Sequence, residues 1–200
     1  MDVPASDPLS AGLPDDVFVT DGLLTKRVMR AYALAMLAPA AGERLWDLGA
    51  GTGSIGIEWC RLHAANRAVA VERNPGRAER IALNAANLGV ADRLDVVVAD
   101  VPAAIDTLPP ADAIFVGGGL TADLLGRCWS ALPAGGRLAC HSVTADSDAI
   151  LLGAYREWGG ELSRIGVEAA EPIGRFVGFK PLRTVTAWSV TRPVPASVEG

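Results

Sequence analysis

The sequence predicts an α/β fold: a seven-stranded, mostly parallel sheet with helices on both faces and an antiparallel hairpin at its C-terminal end. Three observations predict it. Short, nearly continuous apolar runs at 44–48, 68–72, 94–99, 113–116 and 137–143 alternate with stretches of helical period. Strands buried on both faces read in this unbroken way, and five such βα units imply a parallel sheet. Two further strands, 161–170 and 184–190, are joined by the long loop 171–181 with no helical pattern. A parallel crossover usually needs a helix, so that last pair is antiparallel. Third, the first strand runs straight into the glycine-rich turn Gly49-Ala50-Gly51-Thr52-Gly53, at the carboxyl end of a strand, where open α/β sheets take their ligands.

The elements follow in order. Residues 1–11 are polar and Pro-bearing with no period, a disordered lead or the remnant of a linker from an upstream domain. The segment 12–18 is compact and turn-like, and Asp21-Gly22 is a turn signal. Thr25 reads as the N-cap of a helix through Leu37, which Pro39 and Gly42 end. A helix over 54–63 follows the glycine turn. Another, over 75–88, has proline in its first turn and stops at Gly89. A short helical piece at 102–108 follows the third strand. Helices over 121–132 and 144–158 follow the fourth and fifth, stopped by Pro133 to Gly136 and by Gly159-Gly160. One domain therefore spans 12–191, and 192–200 is a loose tail.

Half the residues are hydrophobic and a fifth charged, which is a globular balance, and 200 residues suffice for one real core. No apolar run is long enough to span a bilayer and no export signal opens the chain, so a cytoplasmic location is expected. A net charge of −5 argues against broad nucleic-acid binding. Cys60, Cys128 and Cys140 are far apart, lack metal-ligand spacing and sit in apolar patterns, as buried inert thiols do.

The glycine turn excludes two common ligands. No Gly-Lys-Ser/Thr follows, so it is no P-loop. Counted from Gly49, the sixth position is Ser54, so the dinucleotide fingerprint fails and a dehydrogenase is disfavoured. What stands here is Asp47-Leu48-Gly49-Ala50-Gly51-Thr52-Gly53, with Glu72 closing the next strand. This combination resembles the nucleoside site of class I (Rossmann-like) S-adenosylmethionine-dependent methyltransferases. That cofactor has no phosphates, so the loop needs no lysine, and a carboxylate can accept from both ribose hydroxyls. Asp47 is suited to orient the loop or to reach the cofactor's amino group.

A narrower resemblance lies outside that loop. Gly12 to Phe18, Leu24-Thr25-Lys26-Arg27, Glu72-Arg73-Asn74-Pro75, 84–89 and Asp112 to Gly119 are similar to the precorrin-7 C-15 methyltransferases (decarboxylating) and the matching half of the precorrin-6Y C5,15-methyltransferases. The resemblance runs from about Gly12 to Val190. It implies cofactor contacts from Thr25, Asp47, Gly49, Ala50, Gly51, Thr52, Gly53, Glu72, Asp100, Val101 and Gly117. It implies methylation of carbon 15 of a reduced tetrapyrrole with loss of carbon dioxide from the carbon-12 acetate. It also implies a homotetramer and, in the bifunctional relatives, an upstream methyltransferase domain. His141 departs from the family pattern, which has asparagine there.

Amine methyltransferases of this fold place Asn/Asp-Pro-Pro-aromatic after the fourth strand. Gly117-Gly118-Gly119 stands here instead, which argues against an exocyclic amine and leaves room for a bulky substrate at Gly118. A polycarboxylate calls for cations around the mouth, and the candidates are Lys26, Arg27, Arg175, Lys180 and Arg183. His141 ends the fifth strand on the ligand side and is the candidate for proton transfer, against a plain structural role. His63 reads as a helix-end residue, and Tyr32, Trp129, Trp158 and Trp188 as core. Two other readings stay open: a class I methyltransferase for another substrate, and a cofactor-binding module whose catalysis depends on a partner domain.

Overall fold

The computed structural model describes residues 11–195 of the 200. Helix α1 (Arg27–Leu37) leads into five βα units: β1 (Arg44–Leu48) with α2 (Ser54–Leu62), β2 (Arg67–Glu72) with α3 (Pro75–Asn87), β3 (Leu94–Val98) with the short α4 (Val101–Ala104), β4 (Ala113–Val116) with α5 (Ala122–Ala131), and β5 (Arg137–Ser142) with α6 (Ala145–Trp158). Strands β6 (Glu161–Ile165), β7 (Glu168–Ile173), β8 (Phe176–Pro181) and β9 (Val185–Thr191) complete the described chain. The main sheet has the order β3-β2-β1-β4-β5-β9-β6. Strands β1 to β5 are parallel, and β9 lies antiparallel between β5 and β6. The expected seven-stranded sheet with an antiparallel final pair is borne out. The strand order reverses between β1 and β4, so the crevice above their carboxyl ends is the topological switch point.

Side-chain alternation divides the core. Leu45, Ala68, Ala70, Ala113, Phe115 and Ala139 face α1, α2 and α3, while Trp46, Leu48, Val69, Val71, Ile114, Val116, Leu138 and Cys140 face the layer of α5 and α6. Four of the six named on the first face are alanines, which lets that helical layer approach closely. On the second face Trp129 stacks on Trp158 at 4.8 Å, with Trp188 beside it at 6.0 Å. Trp188 is fully buried, whereas Trp129, Trp158 and Tyr32 are half-buried. Capping follows composition: Asn74, Thr121 and Thr144 each accept an N–H from the first turn of α3, α5 and α6, and Pro75 opens α3. The three cysteines are buried and free. Burial pushes the thiols of Cys60 and Cys128 up to about 12 and that of Cys140 well above its ordinary value, so they are inert as expected.

Four expectations need correction. Thr25 caps nothing: α1 starts two residues later, and Lys26 stands at its N-cap with no side-chain bond. The strand expected over 161–170 breaks after Ile165, because Gly166 interrupts it. The long loop expected over 171–181 is the greater part of a separate β7–β8 hairpin, paired in register from Glu168↔Pro181 to Ile173↔Phe176. Its two-residue turn puts Gly174 at the first central position with φ +59, a left-handed conformation that glycine adopts without strain. Finally, Arg192 is held firmly at the start of the expected loose tail. Its backbone pairs with Gly135 and Gly136, and its guanidinium donates to the Trp129, Ser130 and Leu132 carbonyls. The lead expected over 1–11 lies outside the described residues save for Ala11, which packs against the core. Residues 196–200 of the tail also lie outside.

Candidate active site

The glycine turn is built at the switch point. The Gly49 and Ala50 N–H groups donate to the Val71 carbonyl, and Gly117 N–H donates to Leu48. Gly49, Gly51 and Gly53 all have φ between +60 and +72. A Cβ on Gly49 would sit 2.9 Å from the Gly118 carbonyl oxygen, so glycine here lets the two loops of the crevice touch. A Cβ on Gly51 would meet nothing nearer than the Leu23 carbonyl at 4.0 Å, so the loop crest is open.

Two carboxylates hold this loop from below. Asp47 is buried and accepts from Gly56 N–H at 2.9 Å, tying α2 to β1. The bond reaches past the glycine turn to the first turn of the helix that follows it. Burial pushes the Asp47 pKa up to about 7, against the lowering effect of the Gly56 bond and with a further rise from the Glu72 charge. Glu72 accepts from Gly51 N–H and from Asn74 N–H, both at 2.9 Å. A carboxylate has about four acceptor positions, so two remain for ribose hydroxyls. Asp100 is exposed at the N-terminus of α4, bonds no helix N–H with its side chain, and is followed by half-buried Val101. This set fits a neutral nucleoside: an open glycine crest, a carboxylate on the adjacent strand and no lysine in the loop.

A strap over 11–26 crosses the site. Both ends are gathered by Arg30, whose wholly buried guanidinium pairs with Glu58 and Asp15 and donates to the Leu13 and Thr25 carbonyls. Glu58 also accepts from the Gly12 and Leu13 N–H groups. Farther along, Asn84 clasps both backbone groups of Val19, and Asp21 pairs with Arg77 at 2.9 Å and Arg80 at 3.2 Å. Thr25 closes the strap. Sequence reading missed the Arg30–Glu58 pair. The signal was available: each is a charged residue at an apolar phase of its helix.

The basic candidates separate. Lys26 pairs with Asp15 at 3.6 Å, while Arg27 is exposed; both line a cleft of about 620 Å³ closed on the other side by Ala169 and Leu182 at the hairpin base. Lys180 pairs with Glu171 and stands opposite Ala169 in register. Arg175 is at the hairpin turn, its guanidinium over the Phe176 ring at 5.0 Å, and Arg183 is exposed between β8 and β9. Lys26 and Arg27 therefore line one cleft, Lys180 is the register partner of its Ala169 wall, and Arg175 stands at the far tip of the hairpin. His141 lies on the α1 face of β5, edge-on to Phe115. Burial pushes its pKa down to about 4, so the ring is neutral at pH 7. His63 ends α2 and is exposed.

Residues 16–192 match the profile of the precorrin methyltransferase domain. The chain belongs to the precorrin methyltransferase domain family. A precorrin-6Y C(5,15)-methyltransferase [decarboxylating] from Sinorhizobium sp is 47% identical over 186 residues, 92% of this chain. The chain spans 45% of that relative's length. The crystal structure of the C-terminal domain of precorrin-6Y C5,15-methyltransferase from Rhodobacter capsulatus superposes with a TM-score of 0.88 at 39% identity, covering 92% of this chain and 99% of that one. From Pyrobaculum aerophilum, a "Probable cobalt-precorrin-6B C(15)-methyltransferase (decarboxylating)" is 29% identical and covers 87% of this chain, with 92% of its own length matched. The fold is that of the class I methyltransferases.

Proposed function

We propose that this domain transfers a methyl group from S-adenosylmethionine to carbon 15 of a precorrin and removes carbon dioxide from the carbon-12 acetate, in corrin biosynthesis. The observation that carries this reading is the 47% identity, over 92% of the chain, to a relative named for a decarboxylating C(5,15)-methyltransferase. The site supports it through the residues proposed to hold the cofactor: Gly49, Ala50, Gly51, Thr52 and Gly53 along it, Glu72 on the ribose, Asp100 and Val101 beside the base, and Thr25 and Gly117 at the edges. Bound S-adenosylmethionine supplies an electrophilic methyl group. The nucleophile is already electron-rich carbon, so the chain's main task is alignment, which can contribute about 7–11 kcal/mol. Gly117 and Gly118 leave space for a macrocycle. Lys26, Arg27, Lys180, Arg175 and Arg183 are proposed to hold its retained carboxylates. The departing carboxylate is left without a cation, and the electrons of its broken carbon–carbon bond pass into the conjugated ring.

The proposal includes a cytoplasmic location; no helix among the described residues is long and apolar enough to cross a membrane. It includes a homotetramer. The hairpin exposes Ile173, Phe176, Val177 and Phe179, each more than half accessible, an apolar surface suited to burial against other copies. A second reading is favoured by the 45% span: this is the cofactor-binding half of a longer protein, and an upstream methyltransferase domain is needed for turnover. One experiment separates the two. The purified domain is incubated with S-adenosylmethionine and a precorrin already methylated at carbon 5, and product mass is followed. A gain of one methyl with loss of one carbon dioxide is expected. Tight cofactor binding without any mass change would favour the second reading.

A further inference from the structure

His141 is enclosed on the α1 face of the sheet. Beside it β4 presents Phe115, with ring centroids 5.2 Å apart at 82°, and α1 presents Tyr32 at 6.4 Å. Its partner in register on β9 is Ala187. Tyr32 is the one titratable group among these, and burial is what lowers the ring's pKa. Nδ1 is sealed from solvent and has no hydrogen-bond partner. Nε2 is not sealed, and the residue keeps part of its surface at the carboxyl end of β5, the ligand end of the sheet.

A neutral imidazole carries one N–H and one lone pair. A proton on Nδ1 would bury a donor with no acceptor, whereas a proton on Nε2 leaves only a lone pair unsatisfied, the less costly of the two. We propose that His141 is a fixed neutral hydrogen-bond donor that presents Nε2–H to a carboxylate oxygen of the tetrapyrrole and transfers no proton in the reaction. The inference rests on the methyltransferase reading for the substrate's identity, but not for the state of the ring. Burial of Nδ1 and packing of the ring beside Phe115 and Tyr32 hold its orientation, so the donor is in place before the substrate arrives.

The test uses the purified domain with ¹⁵N-labelled histidine. Between pH 5.5 and 8 the His141 ring is expected to stay neutral with its proton on Nε2. An imidazolium in that range, or the Nδ1–H form, would overturn the proposal. The contact is read by quenching of tryptophan fluorescence on addition of the precorrin. His141→Leu is expected to weaken binding about ten-fold or more, while His141→Asn, which keeps a neutral N–H, stays within about three-fold. Unchanged binding by His141→Leu would refute the contact. In turnover the loss is expected in KM with kcat nearly unchanged, and wild type and His141→Asn should share one pH profile. A wild-type limb missing from His141→Asn would instead assign proton transfer to the ring. If the precorrin binds without turnover, the functional reading fails alone and the binding measurements still decide the role of His141; if it does not bind the wild-type domain, the proposed contact is overturned with that reading, and the ring state stands by itself.

Discussion

At the scale of single residues, burial decides what each titratable group does. Asp47 has its pKa raised to about 7 from an ordinary value near 4, so the folded state holds its proton over a range where the unfolded chain has released it. Its contribution to stability is full below about pH 4 and is lost as pH rises through 7. Asp47→Asn retains an oxygen for Gly56 N–H and removes that titration. Urea unfolding of both proteins across pH 4 to 8 should show wild type losing stability relative to Asp47→Asn as pH rises; parallel curves would contradict the assignment. Asp47 and Glu72 were legible because strand ends in an α/β sheet have fixed places relative to the crevice. The burial of Arg30 and of Glu58 was legible in their apolar helical phase, but their pairing was not, since the two residues are 28 positions apart and only packing of α1 against α2 brings them together. The true grouping of the cations was hidden for the same reason: sequence distance said nothing of which end of the hairpin faced the cleft.

At the scale of elements, the strap and the hairpin are what the domain adds to its sheet and helices. The strap is fastened by one buried pair and one exposed cluster, and magnitudes separate them. Removing the Arg30 guanidinium leaves Glu58 buried without its charge partner, which typically costs about 3–5 kcal/mol. Arg30→Ala is therefore expected to lower the unfolding midpoint strongly, as read by calorimetry, whereas Asp21→Asn should change it little. Exposed pairs are screened, so the Asp21 cluster should instead show its effect as faster cofactor release, growing weaker as salt is raised. Equal thermal effects of the two changes would contradict this division. The hairpin escaped sequence reading because both its faces are accessible. Phe176-Val177-Gly178-Phe179 has no polar face to alternate with, and Gly166 looked like a feature of one long strand. Only Gly174-Arg175, between two apolar residues, signalled the turn.

At the scale of the whole molecule, the sheet was the most legible part. Buried parallel strands need unbroken apolar runs, and the five βα units could be read directly from those runs. The insertion of β9 between β5 and β6 was less accessible, because an antiparallel pair can form with either strand as the edge. The apolar hairpin leads to a prediction at this scale. If the proposed tetramer forms through this surface, Val177→Glu with Phe179→Glu is expected to shift sedimentation of the domain toward monomer while leaving its circular dichroism unchanged, since neither side chain belongs to the core. A species of unaltered size would place the assembly surface elsewhere.

We propose that one crevice, above β1 and β4, joins a methyl to carbon 15 and releases carbon dioxide without help from another domain. The most direct measurement counts both in one sample: methyl groups incorporated from labelled S-adenosylmethionine against carbon dioxide released from a precorrin labelled in its carbon-12 acetate, with this domain as the sole protein. One carbon dioxide released for each methyl transferred is the expected result. Methyl transfer without release, or no turnover until an upstream domain is added, would contradict it.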